Sequence, residues 1–132
     1  MSQKDEELVR RATEAFNQRD PEKFAQLLAP DAEIVPLRAA VEGTVYRGPD
    51  AAARFFADSD ETWQSLQIEV DEIRSIGDTI LSFGVLRGRG RGSGAAVEMS
   101  LAFVVRVRNG LATSFRTYTD RREALEAAGL RR

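Results

Sequence analysis

From Val97 to Arg108 one set of alternate residues is entirely apolar (Val97, Met99, Leu101, Phe103, Val105, Val107) and the intervening set is mixed (Glu98, Ser100, Ala102, Val104, Arg106, Arg108). A period of two maintained over that length is a β-strand with one face buried. Asn109-Gly110 follows at once, the dipeptide best suited to a tight hairpin turn, and leads into a partner strand from Leu111 to Tyr118. Upstream, Leu66, Ile68 and Val70 alternate with Gln67, Glu69 and Asp71, and Gly77-Asp78 is a two-residue turn into a strand from Thr79 to Arg87. A chain with these signals must build an antiparallel sheet.

The first part of the chain has a helical period instead. Leu8, Ala12, Ala15 and Phe16 form one stripe of a helix from about Lys4 to Gln18. Asp20-Pro21 reads as N-cap and first residue of a second helix, with Phe24, Leu27 and Leu28 on its buried side, ending near Ala29. Ala32 to Val35 reads as a short strand stopped by Pro36, and Leu37 to Arg47 as a loop. Gly48-Pro49-Asp50 opens a third helix with Ala51, Ala52, Phe55 and Phe56 on its apolar face. Asp120, with Glu123 three residues on, caps a short C-terminal helix that ends at Gly129. Helices grouped before long antiparallel strands give an α+β chain, with residues 1–132 as a single domain and the sheet wrapped on the helices.

Composition narrows the chemistry. There is no cysteine and no histidine, which excludes thiolate metal sites, cysteine nucleophiles and imidazole acid-base catalysis, so no metal or cofactor is expected. Nineteen basic against 21 acidic side chains leave a net charge of −2, without the basic excess that drives nucleic-acid binding. No apolar run approaches the roughly 18 residues of a membrane span. Met1 to Glu7 is too polar for a signal peptide, so a cytoplasmic protein is expected.

Four segments carry a family resemblance: "ATEAFNQRDPEKFAQLLAPDAEI", "YRGPDAAARFF", "RNGLATSFRTYTDR" and "EALEAAGL". With the strands between them, roughly residues 5 to 130, the chain resembles the SnoaL-like branch of the nuclear transport factor 2-like superfamily. That cone-shaped fold is also called cystatin-like or ketosteroid isomerase-like. The resemblance implies a pocket between the concave sheet face and the N-terminal helices. Strand parity then puts Ser82, Leu86, Met99, Leu101, Phe103, Phe115 and Thr117 on the concave face, with Ile80, Gly84 and Thr113. Phe16, Phe55, Phe56 and Trp63 would close the open side, and Tyr46 would hydrogen-bond a ligand at the rim. The plainer reading of the same residues is a packed core.

The catalytic sets of the superfamily are absent at matching positions. Where ketosteroid isomerase-like members have a base, a tyrosine and an acid, this chain has Pro36, about Ala12, and Phe103. Where epoxide hydrolase-like members have an arginine, a first aspartate and a second aspartate, it has Gly84, Leu86 and Thr117. A polyketide cyclase-like base is left with two candidates, Glu42 and Asp120. Glu42 reads otherwise as a solvated loop charge, pairing with Arg38, and Asp120 as the helix N-cap. The expected role is therefore a small-molecule binding protein with an apolar pocket for a hydrophobic ligand. A cyclase, isomerase or dehydratase of a polycyclic ketone is the alternative.

Two further features stand out. The segment from Arg87 to Gly94 alternates arginine with glycine, read as a twisted strand connection and not a nucleic-acid tract. The convex face carries Phe83, Val85, Ala102 and Val104 with Glu98, Arg106 and Arg116 around them. It is expected to form a homodimer in which Glu98 pairs with an arginine of the second copy.

Overall fold

A computed structural model describes residues 2–36 and 45–129. Three helices precede most of the sheet: α1 (Ser2–Asn17), α2 (Pro21–Ala25) and α3 (Ala51–Thr62). Strands β1 (Leu28–Val35), β2 (Tyr46–Arg47), β3 (Trp63–Ile76), β4 (Thr79–Gly90), β5 (Ala96–Arg108) and β6 (Leu111–Tyr118) form one sheet of order β2-β1-β6-β5-β4-β3. Helix α4 (Arg121–Ala127) closes the chain. Among the described residues, no helix is long and apolar enough to cross a membrane.

The register agrees with strand parity. Ser82 faces Phe103, which faces Thr117, while Gly84 pairs with Leu101 and Leu86 with Met99. These side chains share the concave face. Ala12, Phe16, Phe24 and Phe56 pack there against Leu66, Leu86 and Leu101, and Leu8 and Val9 of α1 pack against Ile80, Val105 and Val107. Curvature has a local cause. β3 shifts register between Val70 and Glu72, opposite Gly84, and a Cβ on Gly84 would lie 2.5 Å from the Glu69 carbonyl oxygen. Only glycine lets the bulged strand close in at that point. At the sheet edge, Asn17 brackets Ile68: its Nδ2 donates to the Ile68 carbonyl (2.9 Å) and its Oδ1 accepts from the Ile68 N–H (2.8 Å). Those bonds blunt an otherwise open edge strand and fix the end of α1.

Several elements differ from the sequence expectation. α2 ends at Ala25, and β1 begins at Leu28, because Leu28 pairs with Ala112 of β6. That pairing is parallel, so one contact of an otherwise antiparallel sheet runs the other way. Tyr46 and Arg47, expected in a loop, pair with Ile34 and Glu33. These partners are distant in sequence, and tertiary pairing overrides local period.

The convex face requires a larger correction. Phe83, Ala102 and Val104 are buried within the chain, under Ala124 of α4 and Ala128 at its C-terminal cap, together with Leu81. Arg106 is also engaged: its guanidinium donates to the Ala127 carbonyl (3.1 Å) and to Thr79 Oγ1 (3.2 Å). Arg121 lies 3.7 Å from the Phe83 ring centroid and 3.1 Å from Glu72. Glu98 pairs with Arg87 of its own chain at 3.6 Å. The apolar centre that suggested a dimer is therefore covered by the C-terminal helix, leaving Val85 half-buried and Arg116 exposed.

Candidate ligand cavity

Between α1, α3 and the concave face lies a cavity of about 470 Å³. Its floor is the sheet: Leu86, Met99, Leu101, Phe103, Phe115 and Thr117 line it, as do Ile34, Leu66, Ile68 and Val105. α1 contributes Val9, Ala12, Thr13 and Phe16. Phe55, Ser59 and Thr62, spaced i, i+4 and i+7, present one stripe of α3, and Trp63 follows where the chain turns into β3. Thr62 both lines the cavity and is exposed, so the α3–β3 corner borders the opening.

The aromatic side chains form a connected wall. Phe16 stacks on Phe55 at 6.3 Å, and Phe24 meets Phe115 edge-on at 5.2 Å. Phe56 packs edge-on against Phe24 and Phe16. Such contacts hold rings in place beyond the effect of their buried area. Gly88 makes room for the last ring: a Cβ there would sit 2.8 Å from Leu66 Cδ2 and 3.2 Å from Trp63 Cε3.

No charged side chain lines this space among the described residues; polar groups come from Thr13, Ser59, Thr62, Trp63 and Thr117. The Thr13 hydroxyl already donates to the Val9 carbonyl (2.9 Å). The resolved shifts in proton affinity lie on the convex side. Hydrogen bonds from Arg74 and then Arg121 hold the Glu72 carboxyl below its usual range, and the hydrogen bond to Glu69 raises Arg87. Neither group faces the cavity.

Of the residues named from sequence, Phe16, Trp63, Leu86, Met99, Leu101, Phe103, Phe115 and Thr117 line the cavity. Phe56 does not; it is one position out of phase with Phe55 and is buried behind it. Ser82 is on the expected face but fully buried, and its hydroxyl has no hydrogen-bond partner among the described residues. Tyr46 is no rim residue: β2 draws it inward, and its hydroxyl donates to Asp58 at 2.6 Å. Asp120 caps α4 instead of facing the cavity, accepting from the Arg122 N–H (2.8 Å) and the Glu123 N–H (3.4 Å). Glu42 and Arg38 lie outside the described residues. The residues missed had a signal in the sequence: Ser59 and Thr62 continue the Phe55 stripe, and Leu66 and Ile68 are in phase with the floor.

A family model for the SnoaL-like domain matches residues 9–115. The chain belongs to the SnoaL-like family. No curated protein matches the sequence. Among solved structures, this SnoaL-like chain is similar to an NTF2-like protein of unknown function from Burkholderia pseudomallei K96243 (24% identity, 95% of this chain and 97% of that one, TM-score 0.79). It is also similar to a putative polyketide cyclase from Xanthomonas campestris pv. campestris (20% identity, 92% and 93% covered, TM-score 0.78). TerC, co-crystallized with polyporic acid, shares 20% identity over 95% and 97% of the two chains at a TM-score of 0.78. At these identities the likeness is one of fold.

Proposed function

We propose that this SnoaL-like chain binds an uncharged, flat, largely apolar small molecule in the cavity. The observation that carries the reading is a space of about 470 Å³ walled by aromatic and aliphatic side chains with no charged group on its described lining. A buried ion there would lack a partner, whereas a ring system gains the full benefit of leaving water. Hydroxyls at Ser59, Thr62 and Thr117 would orient a carbonyl or hydroxyl of the ligand.

Turnover is the second reading, favoured by the fold shared with the putative polyketide cyclase. Asp120 is a poor base for it, since it caps the helix that covers the convex face and is not part of the cavity lining. Glu42 is the carboxylate to test, and Glu42→Gln would abolish turnover while leaving binding intact.

A homodimer is part of the reading, through the half of the convex face that α4 leaves open. Val85 is its centre and the Glu69–Arg87–Glu98 ion group its self-complementary rim. Native mass spectrometry of the protein purified from its own host tests both parts. A dimer with a discrete small-molecule adduct supports them, a monomer discards the interface, and a bare chain that also refuses neutral ring compounds discards the binding role.

A further inference from the structure

Helix α3 ends badly by its own sequence. Its last turn carries Asp60 and Glu61 and no basic residue, so the negative end of the helix dipole meets two carboxylates. The final carbonyls of a helix also need donors from elsewhere. That turn supplies Ser59 and Thr62 to the cavity, with Trp63 directly after it.

Both deficits are met by arginines outside the helix. Arg91, at the tip of the β4–β5 connection, reaches back with three bonds. Its N–H donates to the Thr62 carbonyl (3.0 Å), its Nε to the Asp60 carbonyl (2.7 Å) and its Nη2 to the Trp63 carbonyl (3.1 Å). Arg19 pairs with the Asp60 carboxylate, its guanidinium 5.4 Å from the Phe16 ring centroid and 5.5 Å from that of Phe56. Arg19 has φ +56°, where glycine is at ease and an arginine costs about 1 kcal/mol, so its side chain must offset a backbone cost. The tip that presents Arg91 is bonded to itself. Gly90 N–H donates to the Ala95 carbonyl (3.0 Å), Gly94 N–H to the Gly90 carbonyl (3.0 Å), and Arg89 to the Gly94 carbonyl (2.8 Å).

We propose that Arg91, assisted by Arg19, is a latch on the α3–β3 corner that controls access to the cavity. Held, the corner keeps Thr62 and Trp63 against the opening. Released, the last turn of α3 frays under its own charge and carbonyl deficits, and the opening widens. This assigns the alternating arginine-glycine segment a role within the chain: glycines shape the tip, and Arg91 is a positioning residue acting through the backbone of α3. The inference rests on the cavity being a binding site, but the latch has a readout that needs no ligand.

Trp63 is the single tryptophan. In the ligand-free chain, Arg91→Ala is expected to raise acrylamide quenching of Trp63 about twofold, as local opening exposes the indole. With N-phenyl-1-naphthylamine as a neutral probe, association and dissociation both accelerate and the Kd changes less than either rate. Arg89→Ala, which loses only a bond within the tip, leaves quenching and rates at wild-type values. Arg19→Ala, which removes the partner of Asp60 and spares the carbonyls Arg91 holds, gives a smaller rise in the same direction. If Arg91→Ala fails to fold, Arg91→Lys keeps the charge but loses the planar fork that spans two carbonyls, and takes over the test. Wild-type quenching and rates in folded Arg91 variants would overturn the latch. Raised quenching in a protein that never takes up the probe upholds the latch and removes the binding reading instead.

Discussion

Ser82 places a fully buried hydroxyl beside Phe103 with no hydrogen-bond partner among the described residues, in the row that ends at Thr117. An unmet buried polar group costs free energy, so Ser82→Ala is expected to leave stability unchanged or raise it by up to about 1 kcal/mol. Urea unfolding checks this, and a clear loss of stability would show that the hydroxyl is paired. Gly88→Ala is expected to cost about 1–3 kcal/mol by forcing a methyl against Leu66 and Trp63, and to shift the Trp63 emission. Unmoved emission would mean that Trp63 does not rest on the glycine. Strand parity alone placed Leu86, Met99, Leu101, Phe103, Phe115 and Thr117, because alternation fixes a side chain's face whatever its partner. Tyr46 was misplaced because its position depends on the β1–β2 pairing, which is not encoded locally, and Phe56 because it is one step of helical phase away from the Phe55 stripe that Ser59 and Thr62 continue.

Among the elements, α4 separates what the sequence shows from what it hides. Asp120, Glu123 and Gly129 mark its ends plainly, but small residues such as Ala124 and Ala128 do not say which surface they cover. The exposed-looking apolar set on β4 and β5 was its docking site. The Glu72 carboxyl, bonded to Arg74 and Arg121, ties the start of this helix to β3. Because its folded-state proton affinity is lowered, its contribution is present above the ordinary carboxylate range and is lost as pH falls through the folded value. Stability of the wild type is thus expected to fall more steeply than that of Glu72→Gln on acidification from the ordinary carboxylate range downward. Parallel curves in acid-series unfolding would contradict the linkage. The arginine-glycine connection was legible as a turn, whereas its hold on α3 joins Arg91 to Thr62 across the fold and has no local signature.

In the whole molecule, a bulged, glycine-relieved sheet wraps helices whose aromatic side chains meet without filling the concave space. The α+β class and the order of elements were readable because long alternating strands and two-residue turns leave few alternatives, while the cone shape came from the family resemblance. Whether the concave face would be solid or hollow was not readable, since the same apolar residues serve either. If the hollow is a binding site for an uncharged ring system, a neutral aromatic probe must enter it. The most direct measurement is titration with N-phenyl-1-naphthylamine, following energy transfer from Trp63, in the wild type and in Thr117→Phe, which fills the floor of the cavity. The account predicts saturable uptake of one probe per chain with transfer from Trp63, lost in Thr117→Phe while the fold is retained. No uptake by the wild type, or uptake indifferent to Thr117→Phe, would contradict it.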